Sequence, residues 1–294
     1  MHIAIVLTGR AYLPEAFAYR RYLTERGHRA ECVDGPDGIG DADVAIVFSI
    51  RDQWAARRSG AKVVHEYHSL STGRFKAAKH LVKRVLAPRP AGRIFLNDHV
   101  AERYGFQGNT PAIVRPMGID AEFFGCAVGG TPDKEIVYCG SLGRRGVLST
   151  IAELAGRGFS MLVIGDVPDS ADLGAFTGLP VEFTGQLPRE ALPAAFARAR
   201  FGLNVTPDAY PYNIQTSTKT IEYAAAGLGI ISNRYRWIGD FAAERKASIL
   251  WLDRLTSPGA LASVGTAPVD VTDLLWSHIL DAAGFEAFVQ STLD

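Results

Sequence analysis

The sequence predicts an α/β protein built from two doubly wound, Rossmann-like domains, and three observations carry that expectation. Short apolar strands alternate with helical segments along nearly the whole chain, the order that builds parallel sheets covered by helices on both faces. A strand running through a turn into a helix opens the chain and recurs from Glu135 onward. At 294 residues there is enough length for two cores rather than one. The expected division is 1–125 for the first domain, 126–273 for the second, and 274–294 for C-terminal helices that cross back to the first.

Composition narrows the class. A hydrophobic content of 47% with 21% charged residues fits a soluble globular protein rather than a disordered chain. Cys32, Cys126 and Cys139 are scattered outside any metal-ligand spacing, which argues against a disulfide framework or a zinc site and for a reducing cytoplasm. The opening MHIAIVLTG lacks a basic region and meets a glycine too soon for a signal peptide; no apolar run nears the roughly 20 residues of a membrane span. Residues 1–125 carry 18 Lys+Arg against 13 Asp+Glu, a net of +5, and the remainder is −5, so an anionic partner is expected on the first domain.

Ile3 to Leu7 reads as the first strand, Thr8-Gly9-Arg10 as a turn, Glu15 to Arg26 as a helix and Ala30 to Val33 as the second strand. Ligands of such a sheet sit beyond the carboxyl ends of its strands, so Gly9 is expected to line the cleft, although no GxGxxG fingerprint is present. Asp43 to Phe48 and Lys62 to His65 give the third and fourth strands, the latter ending in His65-Glu66-Tyr67-His68-Ser69-Leu70-Ser71-Thr72. Histidine titrates near neutral pH, so His65 or His68 can take a proton from an acceptor hydroxyl, and either can equally serve only to hydrogen-bond its loop. From Arg74 to Arg93 basic residues interleave with apolar ones at helical spacing, broken at Pro88. Such a helix suits an anionic membrane surface or a solvated face over the core. Arg93 to Leu96 is the fifth strand, Asn97-Asp98 caps a helix through Tyr104 with Asp98 a reserve acid–base candidate, and Ala112 to Arg115 is the sixth strand.

Cys126 to Asp133 reads as a hinge, Glu135 to Cys139 as a strand, and Gly140 to Val147 as a glycine-rich turn into a helix around Ile151 to Ala155. Glycines there let backbone approach phosphate, and Arg144 or Arg145 can neutralise it. Ser160 to Gly165 and Val181 to Thr184 are strands, Leu192 to Arg200 a helix, and Phe201 to Val205 the strand that leads into Thr206 to Asn233. That stretch organises the domain: a loop with Tyr210, Pro211 and Tyr212, the capping cluster Thr216-Ser217-Thr218, a helix from Lys219 to Ala226, Gly227 as its left-handed stop, and the buried strand Ile230 to Ser232. A helix N-terminus is a seat for phosphate, and Lys219 adds a full charge to it. Glu222, three residues on, shares that face and can accept from sugar hydroxyls; the plain alternative is a surface ion pair between the two. Trp237 to Phe241 and Ser248 to Leu252 complete the alternation, and Leu274 to Leu293 forms one or two terminal helices.

Ser217-Thr218-Lys219 with Glu222-Tyr223-Ala224-Ala225-Ala226-Gly227-Leu228 and the apolar strand after it resembles the donor-binding signature of glycosyltransferases of the GT-B fold, the family 4-like group among them. The resemblance spans nearly the whole chain and is weakest between Gly35 and Arg58. It implies that Lys219, Ser217 and Thr218 hold the donor diphosphate, with Tyr212 nearby, and that Glu222 holds a ribose or sugar hydroxyl. Gly140-Ser141-Leu142-Gly143-Arg144-Arg145 is similar to the second donor motif, with Ser141 where the family has arginine and Arg145 where it has lysine, in a loop one residue shorter. His65 falls where many retaining members place a histidine. His68-Ser69-Leu70-Ser71-Thr72 resembles the catalytic loop of the inverting glucuronosyltransferase of xanthan assembly, in which an aspartate matches His68. Ile214 stands where many retaining members have an acid.

The expected function is transfer of a sugar from a nucleoside-diphosphate donor, a UDP-sugar before a GDP-sugar, to a glycan or lipid-linked acceptor. Neither a cofactor nor a metal is expected, since no DxD sequence or acidic cluster suggests one, and no nucleic-acid partner is expected. The setting is cytoplasmic, with residues 74–93 at the inner face of a membrane. The alternatives are a silent, glycosyltransferase-like scaffold and a sugar-nucleotide epimerase or phosphorylase of the same architecture.

Overall fold

The computed structural model describes residues 1–7, 9, 13–68, 87–143, 146–169, 172–262, 264 and 268–294. Ten helices and strands open the chain: β1 (His2–Leu7), α1 (Pro14–Glu25), β2 (Arg29–Asp34), β3 (Val44–Val47), α2 (Ile50–Ala56), β4 (Lys62–Tyr67), β5 (Gly92–Phe95), α3 (Asp98–Tyr104), β6 (Ala112–Val114) and β7 (Lys134–Cys139). The first six strands pair in parallel in the order β2-β1-β3-β4-β5-β6. Ile3 to Val6 and Val44 to Val47 are buried on both faces, which is why these strands read as continuous apolar runs rather than alternating ones. Pro14 opens α1, where the N–H it lacks has no helical partner to lose. Asn97 caps α3 by accepting from the Val100 amide at 2.9 Å, as its position before the helix foretold. Ser49 does the same for α2 through the Asp52 amide at 3.1 Å; this helix lies in the stretch where the sequence signal was weakest.

The second sheet continues from β7 through α4 (Val147–Gly156), β8 (Met161–Ile164), β9 (Val181–Gly185), α5 (Leu192–Phe196), β10 (Ala199–Asn204), α6 (Thr218–Ala226), β11 (Gly229–Ser232), α7 (Arg236–Arg245), β12 (Ile249–Trp251) and α8 (Gly259–Ala262). Its strands are again parallel, in the order β12-β11-β10-β7-β8-β9. The helix expected to reach Arg200 stops at Phe196 because Ala199 to Asn204 pairs with β7 on one side and β11 on the other. In a strand buried between two neighbours the apolar run carries no helical period to mark its start.

The chain divides into Met1–Gly118 with Leu274–Asp294, and Ile119–Asp273. The boundary falls at Gly118 rather than 125. Ile119 and Phe123 are buried, Phe123 faces the Phe196 ring at 5.6 Å, and the Gly125 and Ala127 amides donate to the Ala225 and Ala226 carbonyls at 2.8 and 3.0 Å. Part of the expected hinge is therefore fastened to the end of α6. The tail, α9 (Trp276–Ala282) and α10 (Phe285–Ser291), packs into the core of the first unit, where Phe285 stacks on Tyr19 at 4.4 Å. Each such large apolar side chain contributes roughly 1.5–3 kcal/mol on burial. Gly118 admits the Trp276 ring: a Cβ there would lie 2.4 Å from it.

Of the basic stretch, residues 74–86 lie outside the described residues. Arg93 does not belong to a cationic helix face; it sits in β5, buried, over the Phe106 ring at 4.3 Å. No described helix is long and apolar enough to cross a membrane.

Candidate active site

Doubly wound sheets bind ligands where successive crossovers leave a strand in opposite directions. In the first unit that place is the carboxyl end of β1 and β3, and Gly9 follows β1 exposed and left-handed, at φ 58°. His68 follows β4 beside Phe48, which succeeds β3; the two rings stack at 5.2 Å. Glu15, in the first turn of α1 and only 2% exposed, brings Oε1 to 2.6 Å from His68 Nδ1. Behind it, Glu66 is ion-paired to the fully buried Arg115 and accepts from the Tyr19 hydroxyl at 2.7 Å. Two carboxylates thus face one guanidinium and one imidazole. Burial works against a charged His68, but the carboxylates of Glu15 and Glu66 outweigh it and hold the ring pKa above its usual value. Burial likewise raises the Glu15 carboxyl, yet His68 and Arg115 prevail and hold it below the ordinary carboxylate range.

His65 has a different position. It is buried, its Nδ1 lies 2.7 Å from Gln53 Oε1, and its ring stacks on Tyr67 at 4.2 Å. Alternation along β4 explains the split: His65 and Tyr67 share one face, whereas Glu66 and His68 share the other. Of the two candidate bases, His68 is the one partly open, with a quarter of its side chain exposed.

In the second unit the corresponding place is the carboxyl end of β7 and β10. Gly140 follows β7 at φ 144°, and Gly165 follows β8 so closely that a Cβ on it would meet the Gly140 carbonyl at 2.1 Å. Lys219, in the first turn of α6, places Nζ over the Tyr138 ring at 4.8 Å and close above Gly140. The start of α6, the glycine turn and the lysine thus lie together in this unit. Ser141 is exposed beside them, and its carbonyl accepts from the Tyr138 hydroxyl at 3.0 Å. Thr218 is half-buried at the start of α6, and Tyr212 is exposed in a single 3-10 turn, Tyr212–Ile214, after the cis Tyr210–Pro211 bond. Arg145 lies outside the described residues.

Two of the expected donor-contact residues have partners within the protein. The Ser217 hydroxyl caps α6, donates to Asn204 Oδ1 at 3.1 Å and accepts from the Thr220 hydroxyl at 2.9 Å. Glu222 is not an exposed acceptor. It is buried, and its Oε1 accepts from Arg189 at 3.2 Å, while Arg189 also pairs with Asp120 and lies over the Phe123 ring at 5.0 Å. Burial pushes the Glu222 carboxyl up to about 7, against the opposing pull of Arg189. Next to it the Cys139 thiol is pushed up to about 12 by burial and by Glu222.

Arg189, Asp120, Glu15 and Arg115 escaped the sequence reading because each lies at least 33 positions from its partner. The one available signal was Glu15 itself, an acid at the opening of an otherwise apolar helix face just past β1. Asn204 was likewise missed; it donates to Ser232 at 3.1 Å and Tyr235 at 2.8 Å, and so fixes the start of α6 against the ends of β10 and β11.

Residues 144–253 match the model of a family described as glycosyl transferase-like. No curated protein matches the chain in sequence. Among solved structures it is similar to AviGT4, a glycosyltransferase involved in avilamycin A biosynthesis, at 13% identity and TM-score 0.62, covering 100% of this chain and 98% of that one. It is similar to sucrose-phosphate synthase from Thermosynechococcus elongatus at 14% identity and TM-score 0.61, covering 99% and 94%. It is also similar to UDP-GlcNAc 2-epimerase from Methanocaldococcus jannaschii at 10% identity and TM-score 0.58, covering 97% and 100%. These likenesses define the fold as GT-B. The segment matched by the family model holds Lys219, Glu222 and Arg189.

Proposed function

We propose that this chain transfers a sugar from a nucleoside-diphosphate donor, a UDP-sugar first and a GDP-sugar second, to a hydroxyl of a glycan or lipid-linked acceptor. The observation that carries the reading is the Lys219 ammonium seated above the Gly140 turn at the N-terminus of α6, inside the glycosyltransferase-like domain. Cleavage at the anomeric carbon leaves a nucleoside diphosphate, whose growing charge the lysine and the helix N-terminus stabilise. In the first unit His68 takes the proton of the acceptor hydroxyl, since His65 is occupied with Gln53.

The reaction runs without metal in this reading. Among the described residues Glu15, Glu66 and His68 have the spacing of a metal site, but both Glu66 oxygens are already taken, by Arg115 and by Tyr19. The charge on the leaving group falls instead to Lys219, α6 and the glycine turn. A membrane-facing role is assigned to basic residues 74–92, with Arg93 removed from the set.

Transfer of radiolabelled sugar from a panel of UDP- and GDP-sugars to polyprenyl-linked and free oligosaccharides tests the proposal. A labelled product formed only with acceptor supports it. Interconversion of donor epimers without acceptor would assign the chain instead to the epimerase chemistry named for one of its structural neighbours.

A further inference from the structure

The buried side of His68 holds more than a lone proton acceptor requires. Among the described residues, the charged or titratable groups around it are Glu15 and Tyr19 from α1, Glu66 from β4 and Arg115 just after β6, while Phe48 after β3 stacks on the ring. Glu66 Oε1 is 3.8 Å from His68 Nδ1, and both of its oxygens serve Arg115 and Tyr19. The carboxylate left to serve the ring directly is Glu15, at 2.6 Å from Nδ1. It belongs to the first turn of α1, where the helix field favours its ionised form.

We propose that Glu15 is a positioning residue for the transfer reaction, acting through His68: it accepts the Nδ1 proton and so leaves the lone pair on Nε2, the nitrogen that takes the proton of the acceptor hydroxyl. An ionised carboxylate can only accept, so the nitrogen it meets must be the protonated one. The inference rests on the reading of the chain as a glycosyltransferase with His68 as base. As the acceptor oxygen bonds to the anomeric carbon, the carbon–oxygen bond to the diphosphate breaks with its electron pair, and the hydroxyl proton moves to Nε2. The resulting imidazolium lies against Glu15 and Glu66, and solvent later takes the proton back. The raised pKa of the ring agrees with this arrangement, because the same carboxylates that fix its tautomer stabilise its charged form.

Glu15→Gln tests the proposal in two ways. Ring 15N shifts of His68 followed against pH need no turnover: the wild type should hold its proton on Nδ1 and titrate above the ordinary histidine value, and the variant should titrate lower. In the transfer assay the variant should lose kcat about 100-fold with the donor KM unchanged, and its acid limb should move to lower pH. Combined with His68→Ala, the same change should alter kcat less than about twofold, whereas a residue that merely supports the fold would lower both backgrounds alike. Unchanged 15N titration, an unmoved acid limb, or equal losses in the two backgrounds would overturn the proposal. Wild-type protein that shows the 15N linkage but transfers no sugar to any acceptor would refute the glycosyltransferase reading, and the catalytic part of this inference with it.

Discussion

Replacing Glu222 by glutamine should make the protein's stability less dependent on pH, and the size of the effect follows from burial. The carboxyl is 4% exposed, and its pKa is pushed up to about 7 from an ordinary value of 4.5. A carboxyl whose folded pKa exceeds its unfolded one binds its proton more tightly when folded. Its favourable contribution is therefore complete below the unfolded value and is lost as pH rises through the folded one. A tenfold change in proton affinity corresponds to about 1.4 kcal/mol, so between about pH 5 and about pH 8 the wild type should lose about 2–3 kcal/mol that Glu222→Gln does not lose. The pull of Arg189 on the ionised carboxyl is already contained in that raised value, so it is not counted again. Thermal melts at the two pH values should therefore differ between the proteins by roughly 5–10 °C, at roughly 2–4 °C per kcal/mol. Parallel Tm profiles for the two proteins would refute a desolvated Glu222 beside Arg189.

Three further outcomes follow from close contacts. Gly118→Ala sets a methyl 2.4 Å from the Trp276 ring, which must shift, so chemical denaturation should show a loss of about 1–3 kcal/mol. Tyr223→Phe strips the Cys139 amide of the hydroxyl it donates to at 2.8 Å; a loss of about 1–3 kcal/mol in urea melts is expected, and a variant as stable as wild type would contradict it. His68→Asn should cut transfer by about 100-fold or more and also lower stability, because it leaves the buried Glu15 carboxylate without its partner. His65→Asn should lose stability with its Gln53 partner while keeping most turnover, as parallel activity assays and melts would reveal.

What the sequence disclosed and what it hid divide along sequence distance. The strands were legible because Ile3 to Val6, Ile136 to Tyr138 and Ile230 to Ile231 are unbroken apolar runs, and the start and stop of α6 were legible because Ser217 and Gly227 are local signals. Lys219 could be placed in the first turn of α6 because a helix N-terminus and its first turn are neighbours in sequence. The burial of Glu222 was not legible, because its environment is set by Arg189 and Asp120, brought in from other parts of the chain. The choice between His65 and His68 was latent in the alternation of β4. It needed Gln53 on one face and Glu15 on the other to be read. The end of α5 and the start of β10 were blurred for the converse reason: a fully buried strand has no exposed face to mark its period.

The central claim, a nucleoside-diphosphate seat at Gly140, Lys219 and the N-terminus of α6, is tested most directly by ligand-induced stabilisation of wild type and Lys219→Ala. At about 100 times its dissociation constant a nucleoside diphosphate should stabilise the wild type by roughly 2.7 kcal/mol. The account predicts a raised Tm with UDP or GDP, relative to the unliganded protein, that Lys219→Ala abolishes. Equal stabilisation of both proteins, or none of the wild type by any nucleotide, would contradict it.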